Sequence, residues 1–402
     1  MTFEMDRRPD GAPAQTEVSA RRPSVVWVLP GPLRQPTGGY LYDARVAEGL
    51  AARGWDVAVL DLGVRRWPLD AIAAGRLVHA LDDDAWDAVV FDELAHPAMA
   101  LGVPWLRIAK ACPSAALVGL VHHLRASEPS PPVPRWAARR VERAALAGLD
   151  RIVCTSRSTA ETVRALLGRG DLPDVVPPGV DTHALERTAP ESPTPDPSSS
   201  GVVSEPPDRP SEAAGTLRVL LVSHWTPRKD VLTALRALAL APAGVTLDLV
   251  GDGDRDPEYG RRVTAALAHP ALTGRVRVHG VVSAEDLAGL YARADAFLLT
   301  STHEGYGMVL AEALRAGLPI VATRAGAIPD VVGDGAGAEL VAPRDARSIA
   351  RILRSLADDP DERARRAALA SARGLLLPTW RASIASFDTI LREAIASGAA
   401  RS

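Results

Sequence analysis

The chain has 402 residues, 47% of them hydrophobic and 24% charged, with a formal net charge of -3, so it can bury two α/β cores of ordinary domain size. A pI near 6.3 excludes a global electrostatic pull toward nucleic acid, and two cysteines, Cys112 and Cys154, exclude a disulfide framework. No apolar run reaches the roughly 18 residues that span a bilayer, and the N-terminus lacks a signal-peptide core, so a cytoplasmic protein with reduced core thiols is expected.

Residues 1–23 read as a disordered, polar tail, and residues 24–186 as a first domain of alternating strands and helices. Residues 25–29 are a strand, 30–36 a loop, and 40–53 a helix with Leu41, Ala44, Val46 and Leu50 on its apolar face. Between loop and helix stands Gly38-Gly39, which reads as a flexible turn. Asp82-Asp83-Asp84 reads as a solvated turn rather than a metal site, and residues 88–91 as a further strand. The strand at 116–121 ends in His122-His123. Strand side chains alternate between faces, so one histidine of the pair is expected to face a cleft at the strand's end. No cysteine or carboxylate completes a ligand set around them, and no metal is expected. Arg135, Arg139, Arg140 and Arg143 share roughly one helix face with Trp136 nearby. That face reads as solvated, with weak peripheral membrane contact the sharper alternative.

Residues 187–215 are expected to be a disordered linker, because the stretch 188–215 holds seven prolines, six serines and no aromatic residue. A second strand-helix series follows over residues 216–376. Its first strand, 217–222, leads into a polar turn that carries Lys229, one of only two lysines among 46 basic residues. A compact ammonium at a helix start can reach a diphosphate, and Arg228 beside it can add a forked contact. Further on, Glu304 and Glu312 bracket Gly305-Tyr306-Gly307 between the strand 296–299 and a helix from Met308. The glycines let backbone approach a ligand, and the helix start favours an anion. The two carboxylates, about 10 Å apart by helix rise, can hold hydroxyls at opposite ends of an elongated ligand. The pattern fits a sugar diphosphate. In residues 377–402, Trp380, Ile384, Phe387, Leu391 and Ile395 recur at helical spacing on one face.

Several of these motifs stand in an order that resembles the retaining glycosyltransferases of family 4. They are the strand, lysine turn and helix of 217–240, Val250-Gly251-Asp252-Gly253, His279-Gly280-Val281-Val282 and the stretch 290–296. After them come the Glu304 to Glu312 segment, the stretch 316–322 and Gly326-Ala327-Ile328-Pro329-Asp330. The resemblance implies the α/β GT-B fold, with two Rossmann-like domains facing across a cleft and a C-terminal helix crossing back onto the first. It implies transfer of a sugar from a nucleotide sugar to an acceptor hydroxyl with retention, and no further cofactor. Glu304 would touch the transferred sugar, Glu312 the ribose and Lys229 the diphosphate. Gly305, Tyr306, Gly307 and Met308 would offer backbone donors, Gly38 and Gly39 would face phosphates and acceptor, and His122 would lie near the reacting sugar.

Two positions depart from the family pattern. His224 stands where an arginine is usual and Asp230 where a glycine is usual, so Arg228 is expected to supply the missing cation. A silent sugar-nucleotide sensor or scaffold is the alternative function. A glycoside hydrolase would use paired carboxylates but leaves Lys229 unexplained, and an oxidoreductase lacks a Gly-x-Gly-x-x-Gly after the first strand. Donor base, sugar and acceptor are not assigned by the sequence.

Overall fold

The computed structural model describes residues 21–33, 37–65, 69–82, 86–109, 115–128, 133–180, 215–333, 335 and 337–399. Lys110, Cys112, Asp83, Asp84, most of the expected tail and the linker through residue 214 lie outside them.

The first sheet contains β1 (Ser24–Leu29), β2 (Asp56–Asp61), β3 (Ala88–Asp92), β4 (Ala116–Val121), β5 (Arg151–Cys154) and β6 (Asp174–Val175). They lie in the order β2-β1-β3-β4-β5-β6, all neighbours parallel. The second contains β7 (Leu217–Val222), β8 (Val245–Val250), β9 (Val276–Gly280), β10 (Ala296–Leu299), β11 (Ile320–Thr323) and β12 (Ala338–Val341). Their order is β12-β11-β10-β7-β8-β9, again all parallel. Strands β1, β3, β4 and β10 are buried at every residue, as parallel strands must be when helices cover both faces. That requirement explains why these segments read as continuous apolar runs and not as alternating ones.

Strand order reverses between β1 and β3 in one sheet and between β7 and β10 in the other. The connections leaving neighbouring strands there go to opposite faces, which opens a crevice beyond the carboxyl ends. The glycine pair follows β1, the histidine pair β4, the lysine turn β7 and the Glu304 segment β10, each at one of these two places or beside it.

Successive residues of β1 supply different cores. Val26 and Val28 pack with the helices Ala71–Asp82 and His96–Ala109, whereas Val25, Trp27 and Leu29 pack with Tyr42, Val46 and Leu50 of helix Gly38–Ala52. The second cluster is completed by the C-terminal helix Trp380–Ala399 through Trp380, Phe387, Leu391 and Ala394. Trp27 and Phe387 rings stand 5.4 Å apart, and Trp55 Nε1 donates to Asp388 at 2.8 Å. Burying side chains such as Phe387 and Leu391 stabilises this attachment by roughly 1.5–3 kcal/mol each. The expected apolar face of the first helix needs one correction. The helix begins at Gly38, its buried stripe runs through Tyr42, Val46 and Leu50, and Leu41 is 42% exposed toward the cleft. No helix among the described residues is long and apolar enough to cross a membrane.

Candidate active site

The two crevices face each other across a cleft of about 650 Å³. From the first half it is lined by Gly38, Gly39, His122 and His123, and from the second by His224, Arg228, Lys229, Glu304 to Met308 and Glu312. A larger surface groove of about 1050 Å³ lies among the outer helices of the second half and includes none of these residues.

Glu304 is 5% exposed, at the end of the loop that follows β10. Its Oε1 accepts from Lys229 Nζ at 2.7 Å and from Ser301 Oγ at 2.5 Å, and Arg228 Nη1 stands 3.4 Å from Oε2. Burial works against its charge, but Lys229 and then Arg228 overcome it and hold the carboxyl at about 2. The two loops are fastened by bonds to backbone carbonyls: Thr302 N–H donates to Arg228 O at 2.7 Å, and the Thr300 hydroxyl donates to Asp230 O at 2.9 Å. Arg228, expected to supply a phosphate cation, reaches into the cleft wall but also donates to His303 O at 3.0 Å. Any anion bound here would share Lys229 and Arg228 with Glu304.

Both departures have a structural reading. Asp230 has φ 47 and ψ 48, the left-handed region that a glycine would enter without strain. It is tolerated with its Oδ2 accepting from Thr233 Oγ1 at 2.7 Å, at the start of helix Val231–Leu240. His224 Nδ1 accepts from the Asp252 backbone N–H at 3.3 Å, so the neutral ring carries its proton on Nε2. It therefore ties the lysine turn to the glycine turn after β8.

Gly307, at φ 92, caps helix Met308–Arg315 and turns the chain so that the first helical amides meet the cleft. At Gly305 a Cβ would collide with the carbonyl oxygen of His122, so this residue lets the two halves touch. Thr159 Oγ1 lies 3.2 Å from that same oxygen and 3.3 Å from Gly305 O, either of which can accept its proton. Tyr306 turns its side chain into the core at 9% exposure, and burial pushes its phenol up to about 12. What it offers the cleft is backbone. Met308 packs against both cores. Its Sδ would be 3.5 Å from a Cβ at Gly38, and a Cβ at Gly39 would meet the His122 ring at 3.3 Å. Glu312 Oε2 accepts from Tyr291 OH at 2.9 Å, which holds it at the cleft wall.

The expectation that only one histidine faces the cleft is corrected. β4 ends at Val121, so neither His122 nor His123 is in the strand, the alternation rule does not reach them, and both line the cleft. The reading that no carboxylate completes a ligand set around them is corrected too. His122 Nε2 is 3.3 Å from Asp43 Oδ1 and 3.5 Å from Asp92 Oδ2, and its backbone N–H donates to Glu93 Oε2 at 2.7 Å. His123 Nε2 is 2.9 Å from Glu128 Oε1. Among the described residues, Asp43, Asp92 and His122 alone bring three donor atoms within 4.8 Å of one another, a spacing that shared protons satisfy as well as a cation does. Sequence reasoning missed these acids. The available signal was an aspartate beside Tyr42 on a buried helical stripe, and an Asp-Glu pair directly after a buried strand.

On the outer surface, helix Arg135–Ala147 exposes Trp136 at 72%, together with Arg139, Arg140 and Arg143. Cys154 is buried at the end of β5, and burial pushes its thiol well above the ordinary range, so it is no nucleophile.

Two family models match in succession, Glycosyltransferase Family 4 over residues 42–184 and Glycosyl transferases group 1 over residues 216–359. A D-inositol 3-phosphate glycosyltransferase of Xylanimonas cellulosilytica is 33% identical over 233 residues, 58% of this chain and 54% of the relative. The chain thus spans about half of that relative's length. Sucrose-phosphate synthase from Thermosynechococcus elongatus superposes with a TM-score of 0.75 at 20% identity, covering 94% of this chain and 100% of that one. Anabaena HepE, in complex with UDP and glucose, gives 0.71 at 19% identity, covering 92% and 100%. At such identities the superpositions speak for the fold. With each half matched in order by the family's models and both parallel sheets in the arrangement of these structures, the chain belongs to the family 4 glycosyltransferases and has their GT-B fold.

Proposed function

We propose that the protein transfers a sugar from a nucleotide-diphosphate donor to an acceptor hydroxyl, with retention of configuration at the anomeric carbon. The observation that carries this reading is the junction of Lys229, Arg228 and Glu304 with the helix start at Gly307 and Met308. It combines cations and backbone amides for a diphosphate with a buried, ionised carboxylate for sugar hydroxyls. Glu312, one helical turn further in at the cleft wall, is assigned to the ribose.

In the reaction the acceptor oxygen attacks the anomeric carbon from the face that the diphosphate leaves, and the bond from that carbon to the phosphate oxygen breaks. The acceptor's proton passes to the departing phosphate oxygen. Lys229, Arg228 and the helix-start amides stabilise the charge that grows there, and the same groups need not reorganise as it grows. His122, against Gly39 and beside Gly305, stands at the sugar end. The inositol phosphate in the name of one relative, and the UDP and glucose bound in the structure of a fold neighbour, suggest a polyol or sugar acceptor and a uridine donor as first probes.

Thermal-shift binding of UDP, GDP, ADP and TDP to the wild type and to Glu312→Ala tests the donor site, and nucleotide release from the matching sugar nucleotides tests transfer. One nucleotide that shifts the wild type and loses its effect in the variant supports the reading. Binding without release of nucleotide from any donor, with acceptor alcohols present, would favour a sensor in place of an enzyme.

A further inference from the structure

His122 stands where both halves of the cleft meet, yet its ring nitrogen points away from the second half, to carboxyl groups buried in the first. One Nε2–H faces Asp43 Oδ1 at 3.3 Å and Asp92 Oδ2 at 3.5 Å and cannot satisfy both fully. Asp43 is fully buried, and its other oxygen, Oδ2, has no hydrogen-bond partner among the described residues. Two ionised carboxylates so close and out of water would repel strongly and leave that oxygen unsatisfied. A proton on Asp43 removes the repulsion and gives the orphaned carboxyl a donor.

We propose that Asp43 is a positioning residue that keeps His122 doubly protonated across neutral pH: it first carries a proton beside Asp92, and on losing it becomes a counter-ion of the imidazolium. Either way His122 presents a fixed cation at the sugar end of the cleft. This consequence for transfer rests on the reading under Proposed function; the protonation state itself does not.

The surroundings agree. Burial opposes a charge on the His122 ring, but Glu93 and then Asp43 outweigh it and raise the ring well above an ordinary histidine. Burial, and next Asp92, raises the Asp43 carboxyl well above the usual carboxylate range. On the same helix, Tyr42 sets its ring edge-on to His122 at 5.4 Å between centroids, and its phenol stays neutral because burial raises it. Beneath Asp92, His96 is held neutral by burial, at about 3. Behind Tyr42, Cys154 is likewise neutral. His123 on the adjoining turn is drawn up by Glu128 and Glu93 against its own burial. Across the cleft Lys229 and Arg228 are answered by Glu304. Asp92, at 3.5 Å from the ring nitrogen, and Glu93, at the backbone N–H, are thus the other acidic groups that face His122.

The test is NMR titration of the full-length protein with labelled histidine, with the His122 resonance assigned from His122→Gln. In the wild type His122 is expected to stay imidazolium well into the alkaline range. In Asp43→Asn, which keeps shape but cannot ionise, its proton affinity is expected to fall at least tenfold, so that the ring titrates within the range. The alkaline limb of kcat/KM should move to lower pH in the same variant, which a purely structural role would not produce. A wild-type ring that is neutral at pH 7 overturns the proposal without any variant. So does an unchanged titration in Asp43→Asn, or a His122 resonance that moves on adding zinc and returns with EDTA, since the three groups would then hold a cation. Loss of the kinetic arm alone, with the titration as expected, would instead count against glycosyl transfer.

Discussion

Two carboxyl groups buried on opposite walls of one cleft are driven in opposite directions. Glu304 lies between Lys229 and Arg228, and although burial works against its charge, the two cations hold it at about 2. Asp43 lies beside Asp92, and burial with that second acid drives it up. The side chain chemistry is nearly the same, and the sign of the neighbours decides which carboxyl keeps its charge. The second half is thus built to be charged where an anion and a sugar would meet. The first half is built to hold protons.

The sharpest way to break this contrast is to remove the charge that the second half maintains. Glu304→Ala leaves Lys229 and Arg228 without their carboxylate, and turnover is expected to fall on the order of 10²–10³-fold while nucleotide affinity, measured by calorimetry, changes little. Glu312→Ala should do the reverse and chiefly weaken donor binding. Equal effects of both on both parameters would contradict the division of roles.

Next comes the seam between the halves. Gly305→Ala brings a methyl group against the His122 carbonyl and must push the walls apart. A displacement of about 1 Å at a reacting site costs on the order of 10²-fold in rate, so kcat should drop by 10-fold or more with donor affinity preserved. Weakened donor binding of the same size would place the damage in the nucleotide site instead.

A smaller effect separates buried acids with and without cations by stability. Glu142 is buried in helix Arg135–Ala147 with Oε1 accepting from the Ala126 N–H at 3.3 Å and Oε2 without a hydrogen-bond partner among the described residues, and burial pushes its carboxyl from 4.5 to about 7. A raised folded-state value means the proton is bound more tightly in the native protein. This contribution is therefore fully present below pH 4.5 and is lost as pH rises through about 7. Glu142→Gln should abolish that loss, gaining roughly 2–3 kcal/mol relative to wild type at pH 8 and little at pH 4. Urea unfolding at the two pH values measures it. Glu304 has the opposite sign, with stability present above 4.5 and lost only as pH falls toward about 2.

The smallest expected effect is at Asp230. Asp230→Gly relieves the left-handed backbone but loosens the unfolded chain and removes the bond from Thr233, so stability should move by less than about 1 kcal/mol. A larger gain would mean that the strain is held for function, and turnover would then be the quantity to follow.

The legibility of the site divides along the same line. In the second half nearly every group of interest lies within the short turns after β7 and β10, where spacing and glycines can be read directly. Lys229, Glu304, Gly307 and Glu312 line the cleft together, as their pattern anticipates. In the first half, Asp43 lies within a helix, Asp92 at the end of β3 and His122 just after β4, and nothing local marks them as partners. The strand 116–121 has the bounds its apolar run predicts, but extending its alternation to His122-His123 fails, because β4 ends where its pairing with β5 ends, at Val121 opposite Cys154.

By itself the sequence determined the two-sheet α/β architecture, the glycine turns, the lysine turn and the apolar stripe of the last helix. These follow from local periodicity, backbone freedom and charge at positions a few residues apart. Only the tertiary structure decided that Phe387 fills the first domain's core, that both histidines line the cleft, and that Asp43 and Asp92 meet at His122. Each of these depends on which strands lie side by side and on how much water burial removes, and a carboxyl's charge is set by those two things more than by its place in the chain.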